Sequence, residues 1–572
     1  VIAVVLLTLI LILSLTLTTN ETPSDVCYSK AAVRADAGNC SKGKVAADDR
    51  NCSKIGSDML QSGGSAVDAA IAALLCLSVV HPHSMGIGGG VVFTIYNAST
   101  GTVEIINARE TAPMNASENM FGEHPNKTKK EKPGLFIAVP GELRGYAMAH
   151  KKYGKLNWDE LFQPSIKLAK DGFQIGKALA RAINEENGTI LNNEALCEVF
   201  CSSNRTTVLR ENDTIKFLNL SETYEKIANG TADVFYNGPL AQTIVDDIKA
   251  TGGIITHEDL QKYKPACNES ALNFTVGNYI FHAPGAPFGG PVLALILNIL
   301  KGYNLTNSSV STIENKTLTY HRMIEAFRLA NEQKSKLGDP HYENITEIVK
   351  KIVQNMTSER FADDIRKMIK DDTTKKDRYD VKSVCDGHGT SHVSVIAEDG
   401  SAVAVTSSIN NYFGSGVMSR STGIIFNDQM CDFSDPKSVL NEINRNNLIK
   451  PGKRPLSSKC PTIILDKQSR KVKMVVGGAG GTNITTSVAQ VILNYLYFDY
   501  DLKKSVNESR VQVPRYETNI EDNFDKNVTC DLKKKNHTIG YKTELSVVQV
   551  VVQEEDKIFA ESDPRNDRYP VG

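Results

Sequence analysis

The sequence has no excess of either charge sign. Lys and Arg total 65 against 66 Asp and Glu in 572 residues, so no basic surplus is present to neutralise phosphates, which argues against a nucleic-acid partner. Bias toward disorder, collagen or coiled coil is missing too: 41% hydrophobic and 23% charged residues, with a single Trp, describe an ordinary folded chain. No dinucleotide fingerprint follows a strand and opens a helix. His388 and His392 stand four apart and His81 and His83 two apart, but none sits in a carboxylate-His cluster with zinc spacing. The expectation is therefore no metal and no cofactor. Length alone allows three or four domains or one large α/β unit.

Charge is also absent from residues 1–19 (VIAVVLLTLILILSLTLTT), with Glu21 the first ionisable side chain. About twenty helical residues at ~1.5 Å each cover a ~30 Å hydrocarbon core. The run is long for a cleaved signal peptide and no small-x-small exit site follows, so an uncleaved signal anchor is expected over residues 1–19. With no flank before Val1 to show a positive-inside bias, orientation rests on the other side. There, roughly twenty Asn-X-Ser/Thr sequons recur, among them Asn97, Asn115, Asn126, Asn187, Asn204, Asn212, Asn229, Asn268, Asn273, Asn304, Asn344, Asn355 and Asn507. Such density points to an extracellular or lumenal fold carrying sugar on surface loops. That compartment permits disulfides, and eleven Cys is an odd number, which leaves at least one thiol over.

Residues 20–54 read as a polar stalk holding a short duplication, Val33–Lys42 echoed by Val45–Lys54, too small for a solenoid module. A helix of small apolar residues is expected over Gly63–Cys76, then a Gly-rich turn (HPHSMGIGGG, 81–90) and a buried strand, Val91–Tyr96. From about 140 to 380, amphipathic helices alternate with polar loops, at Gly141–Lys152, Leu161–Lys170, Leu240–Ala250, Tyr320–Asn331 and Arg360–Lys370. The charged stretch Lys370–Lys382 reads as an exposed linker. Strands follow at His392–Ala397 and Ala402–Thr406, joined by an Asp-Gly hairpin signal. Others are expected at Thr462–Leu465, Val472–Val476 and Leu545–Val552, with a helix at Thr485–Leu496 between. Strands flanked by helices describe a layered α/β sandwich.

Cys385-Asp-Gly-His-Gly-Thr-Ser-His392 joins the linker to the first of these strands. Gly387 and Gly389 permit close or strained backbone approach. A Thr directly after Gly can place its hydroxyl against the preceding carbonyl. Attack would shift the acyl group from N to O, and hydrolysis would leave a chain beginning at Thr390. The freed α-amine, with a pKa of about 8, can act as base for the same hydroxyl. The dipeptide alone is more simply the start of a strand, since Thr is a good β residue.

The surroundings change that balance. Thr390–Val403, Asn410-Asn-Tyr-Phe-Gly-Ser415, Pro451–Ser458, Gly477-Gly-Ala-Gly-Gly-Thr482, Asn107–Pro113 and Ser84–Gly90 together resemble the gamma-glutamyltransferase family of N-terminal-nucleophile hydrolases, from about residue 27 to the C-terminus. The resemblance implies a four-layer αββα sandwich, preceded here by the one N-terminal transmembrane helix. It implies autocleavage between Gly389 and Thr390, giving a heavy subunit from 55 to 389 and a light one from 390 to 572. Thr390 matches the nucleophile and Ser408 a supporting hydroxyl, usually Thr. Gly480 and Gly481 match the oxyanion hole. Arg109, Ser457 and Ser458 match the residues that take the glutamyl α-carboxylate, and Asn410, Gln429 and Asp432 those that take the α-ammonium. Tyr412 stands where the family has a residue covering the pocket. Cys431 replaces a residue commonly acidic, which lowers the negative charge beside Asp432. The bridges implied are Cys52–Cys76 and Cys197–Cys201, with Cys40 either the odd thiol or a competitor for Cys52.

The activity so implied is cleavage of the γ-glutamyl bond of glutathione and its S-conjugates through a γ-glutamyl-Thr390 ester. The acyl group then passes to water or to an amino acid or dipeptide acceptor. The protein would be a heavy–light heterodimer at the plasma membrane, single-pass type II, with its catalytic unit outside. Two other readings stand beside it: a catalytically impaired surface homologue acting as a binding protein, resting on Ser408 and Cys431, and an enzyme narrowed to conjugates such as leukotrienes.

Overall fold

The computed structural model describes residues 43–374, 389–438, 445–513, 517–543 and 546–566. The expected span at 1–19, the first copy of the duplication, Cys40 and the 375–388 segment with His388 lie outside them. Among the described residues no helix is long and apolar enough to cross a membrane.

Two six-stranded sheets make the centre. The strands are β1 (Lys44–Ala47), β2 (Gly90–Asn97), β3 (Thr102–Ala108), β4 (Ala266–Ser270), β5 (Leu272–Val276), β6 (Tyr279–Ala283), β7 (Gly389–Ile396), β8 (Ala402–Asn410), β9 (Thr462–Asp466), β10 (Val472–Ala479), β11 (Val547–Glu554) and β12 (Lys557–Glu561). One sheet has the order β1-β7-β8-β2-β3-β4 and the other β12-β11-β10-β9-β6-β5, with every neighbouring pair antiparallel.

The layers follow from side-chain alternation along strands buried on both faces. Ala46, Ile396, Ala402 and Ala404 of the first sheet meet Ile463, Leu465, Val475 and Val551 of the second. Val393, Val395, Val403 and Val405 point the other way, into a helical layer. That layer contains α1 (Arg50–Gln61), α2 (Ala66–Val80) and α3 (Glu142–Tyr153). Beyond the second sheet, Ile464, Met474, Val476 and Val550 pack with α4 (Gly290–Lys301), α5 (Ile313–Lys334) and α6 (Ile484–Leu496). The result is the αββα order expected from the sequence.

Helix α2 is buried along its whole length and apolar on all sides, as a central helix must be. Ser65 and Asp68 close a capping box at its start. Its Ala-rich surface lets it sit close to the sheet, and Cys52–Cys76 ties α1 to it. Cys197–Cys201 is also formed. Cys431 is disulfide-bonded as well, which leaves it without charge beside Asp432. Buried Cys460 and exposed Cys530 are free thiols.

Two expectations are corrected. The stalk does not extend to residue 54: Lys44–Ala47 is the edge strand beside β7, and Arg50 already begins α1. Asp48, just after β1, accepts the His392 N–H at 3.2 Å and Gln549 Nε2 at 2.6 Å, stitching both sheets together. A four-residue strand has too few positions to show a period, so it hides in polar surroundings. The middle region is not purely helical either, since it contains β4, β5 and β6. β5 and β6 lie at the edge of the second sheet with their outer residues half exposed, which dilutes the apolar signal.

Candidate active site

Thr390 lies in β7, which continues unbroken through Gly389. Opposite it on β8 is Ser408, in register, and a bulge then makes Asn410 the partner of Gly389. The bulge turns β8 sharply: Asn410 takes φ +80, and the extra residue, Ile409, donates its N–H to Ser84 O at 3.1 Å. Gly89 lies under this turn, where a Cβ would come 2.3 Å from Ser408 O. This requirement accounts for one glycine of the 86–90 turn.

The bulge concentrates three hydrogen bonds on one hydroxyl. Thr390 Oγ1 donates to Ser408 Oγ at 3.2 Å. Ser408 Oγ donates to the Gly389 carbonyl oxygen at 2.5 Å. The Asn410 N–H donates to Ser408 Oγ at 2.8 Å. All three residues are buried. Ser408 therefore touches both the oxygen expected to attack and the carbonyl expected to be attacked.

His392, two residues on, has a different part. Its Nδ1 bonds Thr406 Oγ1 at 2.8 Å and its Nε2 bonds Ser394 Oγ at 2.9 Å. Burial pushes its pKa down to about 3, so it is a neutral spacer between the sheets. Its ring fills the space over Gly477 of β10, where a Cβ would be 2.3 Å away.

Arg109 follows β3 and is 1% exposed. All five of its N–H groups are engaged. Nε donates to Pro455 O at 3.3 Å. Nη1 donates to Glu110 Oε2 at 3.3 Å and to Gln429 Oε1 at 2.7 Å. Nη2 donates to Asp432 Oδ2 at 2.5 Å and to Leu456 O at 2.7 Å. The residues expected to hold opposite ends of a zwitterion are thus paired with each other. Burial raises the Asp432 carboxyl above the ordinary range, and Arg109 opposes that shift. Gln429 links this pair to Ser408, its Nε2 lying 3.4 Å from Ser408 Oγ.

The Ser457–Ser458 loop reaches Arg109 through the backbone carbonyls before it, not through its hydroxyls. Ser457 Oγ accepts from Lys459 N at 3.1 Å, and Ser458 Oγ accepts from Lys334 Nζ. Gly480 and Gly481, at φ +128 and +59, end β10 in a turn that L side chains rarely adopt. Helix α6 starts just after, and its Thr485 hydroxyl donates to Ser458 O at 3.2 Å, fastening that turn to the serine loop. Asn410 Nδ2 donates to Asp428 O at 3.3 Å. Tyr412 packs edge-on against His83, ring centroids 5.3 Å apart.

Sequence reasoning missed several charged groups here. Asp428 is fully buried, taking Lys129 Nζ at 2.6 Å and Asn411 Nδ2 at 2.5 Å. Glu110, Glu142 and Lys459 are buried behind Arg109. Burial pushes the Glu142 carboxyl up and the Lys459 ammonium down from their ordinary values. Lys334 was missed as well. The one available signal was Glu110, directly beside Arg109 in the Asn107–Pro113 motif.

An αββα sandwich of two antiparallel sheets between helical layers is the fold of the N-terminal-nucleophile hydrolases. A family model described as Gamma-glutamyltranspeptidase matches residues 52–572, and the chain belongs to that family. It is 41% identical over 521 residues to Scoloptoxin SSD14 of Scolopendra dehaani, covering 90% of this chain and 86% of that protein. It is 38% identical over 545 residues to Glutathione hydrolase 5 proenzyme of Rattus norvegicus, covering 94% and 92%. Among solved structures, cephalosporin acylase from Bacillus halodurans is similar in fold, with a TM-score of 0.79 at 24% identity over 95% of this chain and 98% of that one.

Proposed function

We propose that this chain is a self-processing glutathione hydrolase and gamma-glutamyltransferase. The observation that carries the reading is the hydrogen-bonded series Thr390 Oγ1, Ser408 Oγ, Gly389 O. In maturation Thr390 Oγ attacks the Gly389 carbonyl carbon. The threonine proton passes to Ser408 as the Ser408 proton moves to the carbonyl oxygen, neutralising the charge that develops on that oxygen. Collapse breaks the C–N bond, the Thr390 nitrogen takes up a proton as it leaves, and an ester remains. Water hydrolyses the ester, leaving a Gly389 carboxylate and a Thr390 with both hydroxyl and free amine.

In turnover that amine, with a pKa of about 8, accepts the hydroxyl proton as Thr390 Oγ attacks the γ-carbonyl of glutathione or an S-conjugate. The N–H groups of Gly480 and Gly481 receive the developing oxyanion. The donor's α-amino acid head exchanges with the Arg109–Asp432 pair: its carboxylate takes the guanidinium together with Ser457 and Ser458, and its ammonium takes Asp432, Asn410 and Gln429. Exchange of one ion pair for two keeps every buried charge matched. Cysteinylglycine leaves, and water or the amine of an amino acid or dipeptide resolves the ester. Tyr412 covers the pocket.

The test is turnover of γ-glutamyl-p-nitroanilide by purified mature protein, with N-terminal sequencing of the smaller chain. Release of nitroaniline and a first residue Thr390 are expected; an inert protein, or another first residue in active material, would sink the reading. Ser408→Ala is expected to slow maturation by about 100- to 1000-fold, the size of effect seen when a donor at a developing oxyanion is lost, while Ser408→Thr matures. Time-resolved gel analysis reads both, and maturation of Ser408→Ala at the normal rate argues against the relay.

The same proposal puts the protein at the plasma membrane, anchored once through residues 1–19 with the catalytic heterodimer of heavy (to 389) and light (390–572) chains outside. The surface positions of the sequons support an outside location: Asn115, Asn126, Asn204, Asn212, Asn229, Asn273, Asn304, Asn344 and Asn355 are all exposed. Enzymatic removal of N-glycans is expected to lower the apparent mass of the heavy chain on gels; an unchanged mass would count against it.

A further inference from the structure

We propose that Lys334 is a further substrate-binding residue, the second cation that receives the donor's α-carboxylate. This inference rests on the hydrolase reading above and deepens it by naming a residue that the sequence motifs do not contain.

The first observation is that Arg109 has no N–H to spare. Its donors go to Glu110, Gln429, Asp432 and the carbonyls of Pro455 and Leu456. A carboxylate approaching it has to displace a partner before it gains a bond. The second observation is where Lys334 stands. Helix α5 buries Tyr320, Ile324, Phe327 and Ala330 along one side, and Lys334 is four residues beyond Ala330, so the same stripe carries it to the end of the helix. The partly negative C-terminus of α5 suits an ammonium there. The following loop is seated on the Pro451–Ser458 region by the Arg454 N–H, which donates to Asp339 Oδ2 at 2.9 Å.

The third observation is the contact itself. Lys334 is half buried, and among the described residues its ammonium has one hydrogen-bond partner, the Ser458 hydroxyl. No described carboxylate lies in ion-pair range of it; Asp432 and Arg109 act on it only through space. An ammonium taken from water without a carboxylate partner is held at a cost, which an incoming anion relieves. Ser458 Oγ uses a lone pair on Lys334, so its own O–H is left to donate elsewhere. The pair then offers a carboxylate one charged and one neutral donor side by side, without breaking the Arg109 network first.

The test uses mature enzyme at pH 7 with Lys334→Met and Lys334→Arg. Two donors are compared: γ-glutamyl-p-nitroanilide and 4-aminobutyryl-p-nitroanilide, which is the same acyl group without the α-carboxylate. For Lys334→Met, KM for the γ-glutamyl donor is expected to rise about 10- to 100-fold, as for a lost charge-assisted hydrogen bond, with kcat nearly unchanged. The preference for the carboxylated donor is expected to shrink by the same factor, and Lys334→Arg to recover most of it. Equal losses on both donors, a loss confined to kcat, or an unaltered KM would overturn the proposal. Should Lys334→Met fail to mature, Lys334→Arg and Lys334→Gln carry the comparison, arginine keeping the preference and glutamine losing it. Wild-type enzyme inert toward the γ-glutamyl donor would instead overturn the hydrolase reading, and this one with it.

Discussion

Thr390→Ala is expected to leave the chain in one piece and to abolish γ-glutamyl transfer. On the proposed mechanism the substitution removes the oxygen that both severs the Gly389–Thr390 bond and holds the donor's acyl group. Two consequences therefore come from one change: a single band on a denaturing gel, and nitroanilide release lowered by about 10⁴-fold or more, as for loss of a nucleophile that acts with its partners as a unit. Packing is not the cause, since the neighbouring Ser408 still has Gly389 O and Asn410 N–H as partners. Thr390→Ser separates the oxygen from the methyl group. It keeps the nucleophile but loses the β-branch that restricts χ1, so maturation is expected to proceed more slowly. Processing or turnover in Thr390→Ala would dismiss the mechanism outright.

The second large effect belongs to Arg109. Arg109→Met leaves part-buried Asp432 and fully buried Glu110 without their cation, and it opens five hydrogen bonds joining the end of β3, the turn at Gln429–Asp432 and the Pro455–Leu456 carbonyls. Truncating one partner of a buried charged pair costs about 2–5 kcal/mol, which corresponds to a kcat/KM for the γ-glutamyl donor lower by about 30- to 5000-fold. Arg109→Lys is expected to recover little, because an ammonium cannot reproduce a planar fork with five donors. Donor kinetics on purified variants decide this, with circular dichroism to establish that the sandwich remains. Donor kinetics within threefold of wild type in Arg109→Met would show that the guanidinium is structural, and would move the carboxylate site to Lys334 and Ser458 alone.

The two residues show how differently a site can be legible. The Gly389–Thr390 dipeptide could be read for its chemistry, because the attacking and attacked groups are adjacent, but by itself it is more simply the start of a strand. The surrounding motifs and the resemblance they carry singled out Thr390. Arg109 was readable only through resemblance, and its pairing with Asp432, 323 positions away, left no trace along the chain. Lys334 was not readable at all. At the end of an amphipathic helix a lysine is ordinarily a solvated cap, and nothing in α5 announces that Ser458 lies against it. The two-hydroxyl contact of Thr390 and Ser408 stood between these cases. Both residues were singled out, and their pairing follows the regular register of the hairpin; what no period-two pattern reveals is the bulge at Ile409 that brings the Asn410 N–H onto Ser408 Oγ.

The fold divides along the same line. Alternating and continuous apolar runs determined β2, β7, β8, β9, β10 and β11, and the all-apolar helix after Ser65 determined that α2 would be internal, because burial of such faces is the main favourable contribution to folding and is written residue by residue. The tertiary structure decided what depends on the approach of distant segments: that Lys44–Ala47 is an edge strand and not a stalk, that Cys431 is bridged, that Arg109 is saturated by five partners, and that Lys334 faces a serine. Hydrogen bonds and ion pairs act over a few ångströms, so their partners are chosen by whichever backbones the apolar layers bring within reach.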